Sequence, residues 1–243
     1  RELNQAKAEA EEANKSKTKF LAAASHDLMQ PFNALSLFTS MLKKKVVTDE
    51  LVNLASNIDD SLNVVEALLS DLVEISRLDN SSENIEQKHF ALDELLIPLK
   101  NEFTVLAQED DINFCYSASS VWVDSDKRML RRIIQNFLSN AVYYCRDKEG
   151  DKAHIANKIL LGVRHTKNAV RIEVWDNGPG IAADKQQTIF EEFERLDQNR
   201  EIPGLGLGLA IAERMASLLN LKISLKSTLG KGTGFMIEVP RVE

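Results

Sequence analysis

Residues 1–80 contain no glycine and a single proline, and their apolar side chains recur at alternating steps of three and four. This spacing is a heptad pattern, which places the apolar residues of a helix on one narrow stripe. A polar stretch at residues 43–50 interrupts the pattern, so it predicts two helices joined as a hairpin. The first stripe comprises Leu21, Ala24, Leu28, Pro31, Leu35, Phe38 and Leu42, and the second Leu51, Ala55, Ile58, Leu62, Val65, Leu69 and Leu72.

Two helices with such narrow stripes cannot bury a stable core by themselves. We therefore expect the hairpin to dimerise and form a four-helix bundle. Residues 1–19 are rich in alanine, glutamate and lysine and are predicted to extend the first helix upstream as a coiled-coil connector. Residues 1–80 are assigned to this all-α first domain.

His26 and Asp27 stand side by side in the first predicted helix. With Ala24 and Leu28 on the apolar stripe, His26 occupies the position farthest from it and is predicted to face solvent. Pro31 removes a backbone N–H and weakens the helix around the preceding turn. The pattern favours a reactive imidazole over the alternative of an ordinary solvated His–Asp pair.

Residues 81–243 show a different pattern and are assigned to a second domain. Helical and strand-like segments alternate, and the strands are expected to be mostly antiparallel, which indicates an α+β layered sandwich. The predicted strands are at residues 90–92, 111–116, 159–163, 170–175, 222–225 and 234–239, and the predicted helices begin near 92 and span 126–144 and 208–219.

Four clusters in this second region carry the candidate chemistry. Asn136 and Asn140 are four residues apart and share one face of a predicted helix. The other three clusters are Asp176-Asn-Gly-Pro-Gly-Ile181 after a strand, the glycine-alternating stretch 204–208 at the start of a helix, and glycines at 230–234. Alternating glycines before a helix allow backbone N–H groups to approach phosphate oxygens closely. The spacing fits neither a dinucleotide-binding nor a Walker motif.

Composition excludes several classes. The net charge is −7, with both signs interspersed, so no nucleic-acid-binding surface is indicated. No apolar run is long enough to cross a bilayer, so no membrane contact is expected from this stretch. Two cysteines without metal-ligand spacing are typical of a reducing compartment. We therefore expect a cytoplasmic location for this part, with any sensor or membrane anchor lying upstream.

With these clusters in this order, the chain resembles a sensor histidine kinase of two-component signalling. Residues 25–31, Ser-His-Asp-Leu-Met-Gln-Pro, resemble the family's phosphoacceptor box, and residues 136–140 resemble its N box. Residues 176–181, 190–196, 204–209 and 232–234 resemble the first glycine box, the F box, the second glycine box and the last one. The resemblance covers nearly the whole chain. The sequence His-Asp-Leu-x-Gln-Pro in the phosphoacceptor box resembles a form often found in hybrid kinases. The overall resemblance implies an ATP-binding domain of the Bergerat type after the hairpin.

The resemblance implies autophosphorylation of His26 by ATP with Mg²⁺, and transfer of the phosphoryl group to an aspartate of a response-regulator receiver domain, separate or fused downstream. Asp27 would orient the ring of His26, Asp176 would accept a hydrogen bond from the adenine amino group, and Asn136 would ligate Mg²⁺. The chain would act as a homodimer. The remaining implied nucleotide contacts are Asn140, Tyr143, Tyr144, Gly178, Gly180, Ile181, Phe193, Arg195, Gly204, Leu205, Gly206, Leu207, Gly208, Leu209 and Thr233.

Three positions depart from the family's pattern. Tyr143 stands where Lys or His is frequent, so a phosphate-contacting cation must come from elsewhere, with Arg195 and Arg200 as candidates. Arg132 stands where Glu or Gln is frequent. Gln30 stands where many relatives place Asn or Thr to orient a hydrolytic water, so it is the candidate residue for a phosphatase activity.

These departures motivate an alternative: a signalling scaffold with a degenerate site, or a phosphatase-biased kinase, that acts through heterodimerisation or regulator dephosphorylation. Another Bergerat ATPase, such as a chaperone or a mismatch-repair protein, would lack the upstream hairpin with its histidine box.

Overall fold

The structure is a computed structural model that describes residues 32, 35–42, 49–78, 85–117, 119–146, 156–194 and 206–242. Contacts divide the chain into two compact units. The described helical residues from 32 to 78 belong to the first unit, together with Gly206 and Leu207, and residues 85–194 and 208–242 belong to the second. The predicted order of an all-α part followed by an α+β part is confirmed. The predicted boundary at residues 80 and 81 falls outside the described residues and stays a prediction.

The first unit is helical. Residues 35–42 (α1) and the 30-residue helix Asp49–Leu78 (α2) are the described parts of the two predicted arms. Within the single chain, Ala55 and Leu62 of the second predicted stripe are buried. Other stripe residues are 41–63% exposed, namely Leu35, Phe38, Leu42, Leu51 and Ile58. The described parts of α1 and α2 thus keep large apolar side chains exposed to solvent, as the helices of an unpaired half of a bundle would.

The second unit contains seven strands and three α-helices among the residues that the structure describes. The strands are β1 (Gln87–Ala91), β2 (Asn113–Tyr116), β3 (Trp122–Asp126), β4 (Lys158–His165), β5 (Ala169–Asp176), β6 (Lys222–Thr228) and β7 (Gly232–Pro240). The helices are α3 (Asp93–Glu109), α4 (Lys127–Arg146) and α5 (Gly208–Leu218), and a 3₁₀ turn spans Thr188–Phe190. None of the described helices has the length and apolarity that a membrane span requires.

The main sheet has five strands in the order β2-β4-β5-β7-β6, and β1 and β3 form a separate antiparallel pair. Every neighbour in the main sheet is antiparallel except β2 and β4, which are parallel. Side chains alternate across β5, so Val170, Ile172 and Val174 point to the apolar face that the helices cover. Strand β3 was not predicted, because its sequence Trp-Val-Asp-Ser-Asp is short and polar.

The opposite face of the sheet carries an ion-pair cluster around Glu173, whose side chain is only 8% exposed. Arg171 Nε lies 2.8 Å and Arg164 Nε 3.2 Å from Oε1, and Trp175 Nε1 donates to Oε2 at 2.9 Å. Burial opposes ionisation, but the donors from Trp175 and the arginines outweigh it and hold the pKa of Glu173 below its ordinary value. The cluster satisfies this carboxylate at the centre of the sheet.

Asp93 ties the start of α3 to β2. Its Oδ1 accepts hydrogen bonds from the hydroxyl of Tyr116 at 3.1 Å and from the backbone N–H of Ser119 at 3.3 Å. Burial, together with the hydrogen bond and the charge of Asp93, raises the pKa of Tyr116 to about 12. The phenol therefore remains a donor to Asp93 at neutral pH.

Asp126 fixes the start of α4, the helix that carries several of the candidate site residues. It is 3% exposed, and its Oδ1 accepts from the backbone N–H of Arg128 at 2.9 Å and of Met129 at 3.0 Å. Its Oδ2 accepts from the backbone N–H of Glu86 at 2.9 Å. One carboxylate thus caps α4 and holds the chain that leads into β1.

Asp126→Ala removes the cap and leaves three backbone donors without their acceptor, so we expect it to lower the free energy of unfolding by about 2 kcal/mol. Urea denaturation measures the loss. Asp124→Ala in the same strand is the matched control. Its carboxylate is partly exposed and lies 3.4 Å from Gln87 Nε2 and 3.7 Å from His89 Nε2, so the expected loss is below about 1 kcal/mol. Equal effects of the two variants would contradict the capping role.

Candidate functional site

The candidate site lies where β5 ends, β7 begins and α4 passes alongside. Trp175 of β5 pairs with Gly234 of β7, so Asp176 comes next to Thr233 at this end of the sheet. The C-terminal part of α4 reaches the same place, since a β-carbon on Gly178 would lie 3.1 Å from the carbonyl oxygen of Tyr144. Two of the predicted glycine clusters and the helix with the paired asparagines are therefore brought together.

Asp176 is the central carboxylate of this arrangement. Its Oδ1 accepts hydrogen bonds from the backbone N–H of Gly178 at 2.8 Å and of Thr233 at 3.2 Å. The side chain is half-buried at the end of β5. Two backbone donors from different segments thus fix the direction of one carboxylate, which is the arrangement needed to present it to a ligand with an N–H group.

The glycines at 180 and 232 are required by backbone conformation and by space. Gly180 has φ 72° and Gly232 has φ 123°, both in the region that favours glycine. A β-carbon on Gly180 would lie 2.1 Å from the carbonyl oxygen of Thr228, and one on Gly232 equally close to that of Asp176. The loop after β5 and the turn between β6 and β7 therefore pack backbone against backbone.

A hydroxyl pair locks these two segments. Ser227 Oγ accepts from the backbone N–H of Ile181 at 2.7 Å and lies 3.0 Å from both the carbonyl oxygen of Gly232 and Oγ1 of Thr233. If Ser227 donates to Gly232, the hydroxyl of Thr233 must donate to Ser227. Both Ile181 and Thr233 are 6% exposed, so the contact between the two segments is largely shielded from solvent.

The asparagines of α4 lie on the side of that helix that meets α5. Asn136 is 8% exposed, and its Nδ2 donates to the carbonyl oxygen of Gly208, the first residue of α5, at 2.8 Å. Because Nδ2 is used in this bond, Oδ1 is the atom of the Asn136 amide that can accept a hydrogen bond or ligate a metal ion. Asn140 follows one turn later and is half-buried. Tyr143 and Tyr144 come next, with their rings edge to face at a centroid distance of 5.2 Å.

The α4 helix links the two halves of the site. Asn136 is hydrogen-bonded to Gly208 at the start of α5. Tyr144, eight residues after Asn136 in α4, has its carbonyl oxygen next to Gly178. At a rise of 1.5 Å per residue these positions are about 12 Å apart along the helix axis. The site is thus elongated, with Asp176 at one end and the start of α5 at the other.

The predicted residues of the second glycine box are only partly described. Gly208 and Leu209 begin α5, and Leu209 is half-buried. Gly206 has φ 73° and Leu207 is 1% exposed. The other predicted site residues lie outside the described part of the chain, and these are His26, Asp27, Gln30, Arg195, Gly204 and Leu205.

The two phenylalanines of the predicted F box have different positions. Phe190 packs edge to face on Phe235 at 6.3 Å, and Phe137 of α4 stacks on the same ring at 5.1 Å. Phe193 is 58% exposed and has φ 65°, a conformation rare for an aromatic residue. Phe190 anchors this segment to the core, whereas the ring of Phe193 faces solvent at its end.

Ser227 and Asn177 hold the loop after β5 in place but were not among the predicted site residues. The signal for Ser227 was the β6–β7 hairpin, because a turn centred on residues 229–231 places Ser227 opposite Thr233. Asn177 lay inside a predicted motif, but its side-chain partners, Ala156 and Lys158, are some twenty residues away in sequence and could not be read from the motif.

Two family models match this chain. Residues 125–243 match the family model described as "Histidine kinase-, DNA gyrase B-, and HSP90-like ATPase", and residues 16–81 match the "His Kinase A (phospho-acceptor) domain". The second unit is thus an ATPase domain of the type shared by those three groups. With a phosphoacceptor domain before it, the chain belongs to the sensor histidine kinases.

The chain is similar over most of its length to named members. It is 28% identical to the autoinducer 2 sensor kinase/phosphatase LuxQ of Vibrio vulnificus over 99% of this chain and 28% of that protein. It is also 28% identical to the sensor histidine kinase RcsC of Escherichia coli over 95% of this chain and 24% of that protein. The chain therefore spans about a quarter of the length of these relatives.

Among solved structures, full-length ShkA in complex with AMPPNP matches 92% of this chain and 46% of its own, with a TM-score of 0.74 and 26% identity. The histidine kinase AdeS of Acinetobacter baumannii has a TM-score of 0.60 at 19% identity and covers 90% of this chain, which shows the fold alone.

Gly232→Ala places a β-carbon against the carbonyl of Asp176 and forces a side chain into a glycine conformation, so we expect a loss of about 3 kcal/mol in the free energy of unfolding. Gly162→Ala in β4 is the matched control. The contacts of its β-carbon would be ordinary, at 3.9–4.0 Å, and we expect a change within about 1 kcal/mol. Thermal or urea denaturation of both variants decides. A Gly232→Ala protein as stable as the control would refute the packing described for this loop.

Proposed function

We propose that this chain binds ATP at the site around Asp176, uses it to phosphorylate His26, and passes the phosphoryl group to an aspartate of a response-regulator receiver domain. The observation that carries the proposal is the carboxylate of Asp176, which two backbone amides hold in a domain of the histidine kinase ATPase type that follows a phosphoacceptor domain. The complex of ShkA with AMPPNP, an ATP analogue, supports the same use of the fold.

The adenine base would lie at the Asp176 end of the site. A carboxylate is an acceptor only, so it pairs with the exocyclic N–H of adenine, whereas guanine presents a carbonyl oxygen there. A buried polar group left unpaired discriminates strongly against the wrong ligand. Tyr144, Ile181 and Thr233 would border the base. The carbonyl of Tyr144 lies against Gly178, Thr233 donates to Asp176, and Ile181 belongs to the loop that follows Asp176.

The triphosphate would lie toward the start of α5, where the alternating glycines precede the helix. Among the described residues, no group of three His, Cys, Asp or Glu side chains could hold a metal ion. Mg²⁺ is usually bound by one or two protein oxygens together with phosphates, and Oδ1 of Asn136 fits that mode. When bound, Mg²⁺ would neutralise phosphate charge. Asn136 would hold it, and Asn140 would contact the phosphates.

In the phosphorylation step a ring nitrogen of His26 attacks the γ-phosphorus, the new N–P bond forms, and the bond between the γ-phosphorus and the β,γ-bridging oxygen breaks to release ADP. Asp27 would accept a hydrogen bond from the other ring N–H and stabilise the cation that develops. In the second step a receiver carboxylate takes the phosphoryl group from His26. The protein contributes mainly positioning and charge.

The working form would be a homodimer, with the exposed apolar residues of α1 and α2 buried between two hairpins. Leu35, Phe38, Leu42, Leu51 and Ile58 supply that surface. Because ATP and receiver domains are cytoplasmic in such systems, this portion would act in the cytoplasm. The predicted division at residues 80 and 81 would separate the phosphoacceptor hairpin from the ATP-binding domain.

Incubation of the chain with γ-labelled ATP and Mg²⁺ tests the proposal. We expect a label on the protein that acid removes and alkali does not, as for a phosphohistidine. His26→Ala should incorporate no label, because the attacking nitrogen is missing. The matched control is His165→Ala at the exposed end of β4, which should label like the wild type.

Equal labelling of the His26→Ala protein would reject His26 as the acceptor. A wild-type dimer that binds ATP but never becomes labelled would reject the kinase reaction itself.

A further inference from the structure

Asn177, between Asp176 and Gly178, uses both ends of its side-chain amide to bind another segment of the chain. Its Oδ1 accepts from the backbone N–H of Lys158 at 2.8 Å, and its Nδ2 donates to the carbonyl oxygen of Ala156 at 2.9 Å. Its own backbone N–H donates to the carbonyl oxygen of Lys158 at 3.2 Å. Three hydrogen bonds thus join the loop after β5 to the residues that lead into β4.

The end of α4 is held at the same point. Cys145 is fully buried, and its Sγ lies 3.8 Å from both Oδ1 of Asn177 and the carbonyl oxygen of Lys158. The preceding residue, Tyr144, places its carbonyl next to Gly178. Asn177 therefore lies where the end of α4, the start of β4 and the end of β5 meet.

This junction determines where the carboxylate of Asp176 is held. One of the backbone donors to Asp176 is the N–H of Gly178, the residue directly after Asn177. If Asn177 loses its partners, the peptides on either side can shift, and Gly178 moves with them. Shifts of about 1 Å at such a group are enough to weaken an interaction with a ligand severely.

We propose that Asn177 is a positioning residue for adenine recognition: by fixing the loop to β4 it holds Asp176 where the carboxylate can accept from the base. This inference rests on the proposed binding of ATP at this site. The role assigned to Asn177 needs no contact with the ligand, because its side-chain amide acts through Ala156 and Lys158.

The start of α5 is held by a separate contact, the hydrogen bond between Asn136 and Gly208. Loss of Asn177 should therefore disturb the adenine end of the site and spare the phosphate end. A general loss of folding would lower the affinity for every nucleotide equally. A positioning role predicts instead that the preference for ATP over GTP changes.

The experiment measures the affinities of the chain for Mg-ATP and Mg-GTP by calorimetry in the wild type, Asn177→Ala, Asn177→Asp and Asp176→Ala. Asn168→Ala is the matched control, since Asn168 is exposed at the β4–β5 turn, at the other end of the same hairpin. We expect Asn177→Ala to lower ATP affinity about tenfold, the effect of about one hydrogen bond, while GTP affinity stays within about twofold. Asn177→Asp keeps the acceptor for Lys158 and should fall between.

A parallel fall in ATP and GTP affinity, or no change in either, would overturn the positioning role. Thermal melts establish whether each variant is folded. If Asn177→Ala does not fold, the ATP and GTP affinities of Asn177→Asp are compared with those of the wild type instead. If Asp176→Ala keeps full ATP affinity, the proposed adenine contact fails and this inference falls with it. If Asp176→Ala loses ATP binding and Asn177→Ala does not, this inference alone is wrong.

Discussion

The site depends on the hold that two backbone amides exert on Asp176. Because Gly178 and Thr233 donate to the same oxygen, the carboxylate is fixed by segments that are 55 residues apart in sequence. These donors stay in place only while the loop after β5 lies directly against the turn before β7. The close approach at Gly180 and Gly232 supplies that condition, and a side chain at either position would separate the segments.

The sheet and its helices make this contact possible. The antiparallel pairing of β5 with β7 sets the register that brings Thr233 to Asp176, and the apolar face beneath is covered by α4. The same helix carries Asn136 to the start of α5 and Tyr144 to the loop after β5. One helix, capped and fixed by Asp126, therefore sets the distance between the two ends of the site. A carboxylate at one end suits the amino group of an adenine base, and a helix N-terminus at the other end suits a triphosphate.

Local patterns were enough to predict much of the second unit. The amphipathic period of α4 and the apolar alternation of β4 and β5 are properties of short segments, and these elements form where the patterns place them. Strand β3 was missed because its polar residues show no such alternation, and Asp126 was assigned to the helix that it caps. The partners of Asn177 are some twenty residues away in sequence, and a local pattern does not show that the chain leading into β4 packs against this loop. Predictions for His26, Asp27 and Gln30 concern residues outside the described part of the chain.

We propose that Asp176 accepts a hydrogen bond from the nucleotide base, and that the loop after β5 holds its carboxylate in position. The most direct measurement follows the backbone amide resonances of Gly178 and Thr233 by NMR while AMPPNP is added. Because both amides donate to the carboxylate that would accept from the base, both should shift in a saturable way, and the amide of Ser119 at Asp93 should not. Saturation of binding with both resonances unmoved would place the nucleotide elsewhere and contradict the account.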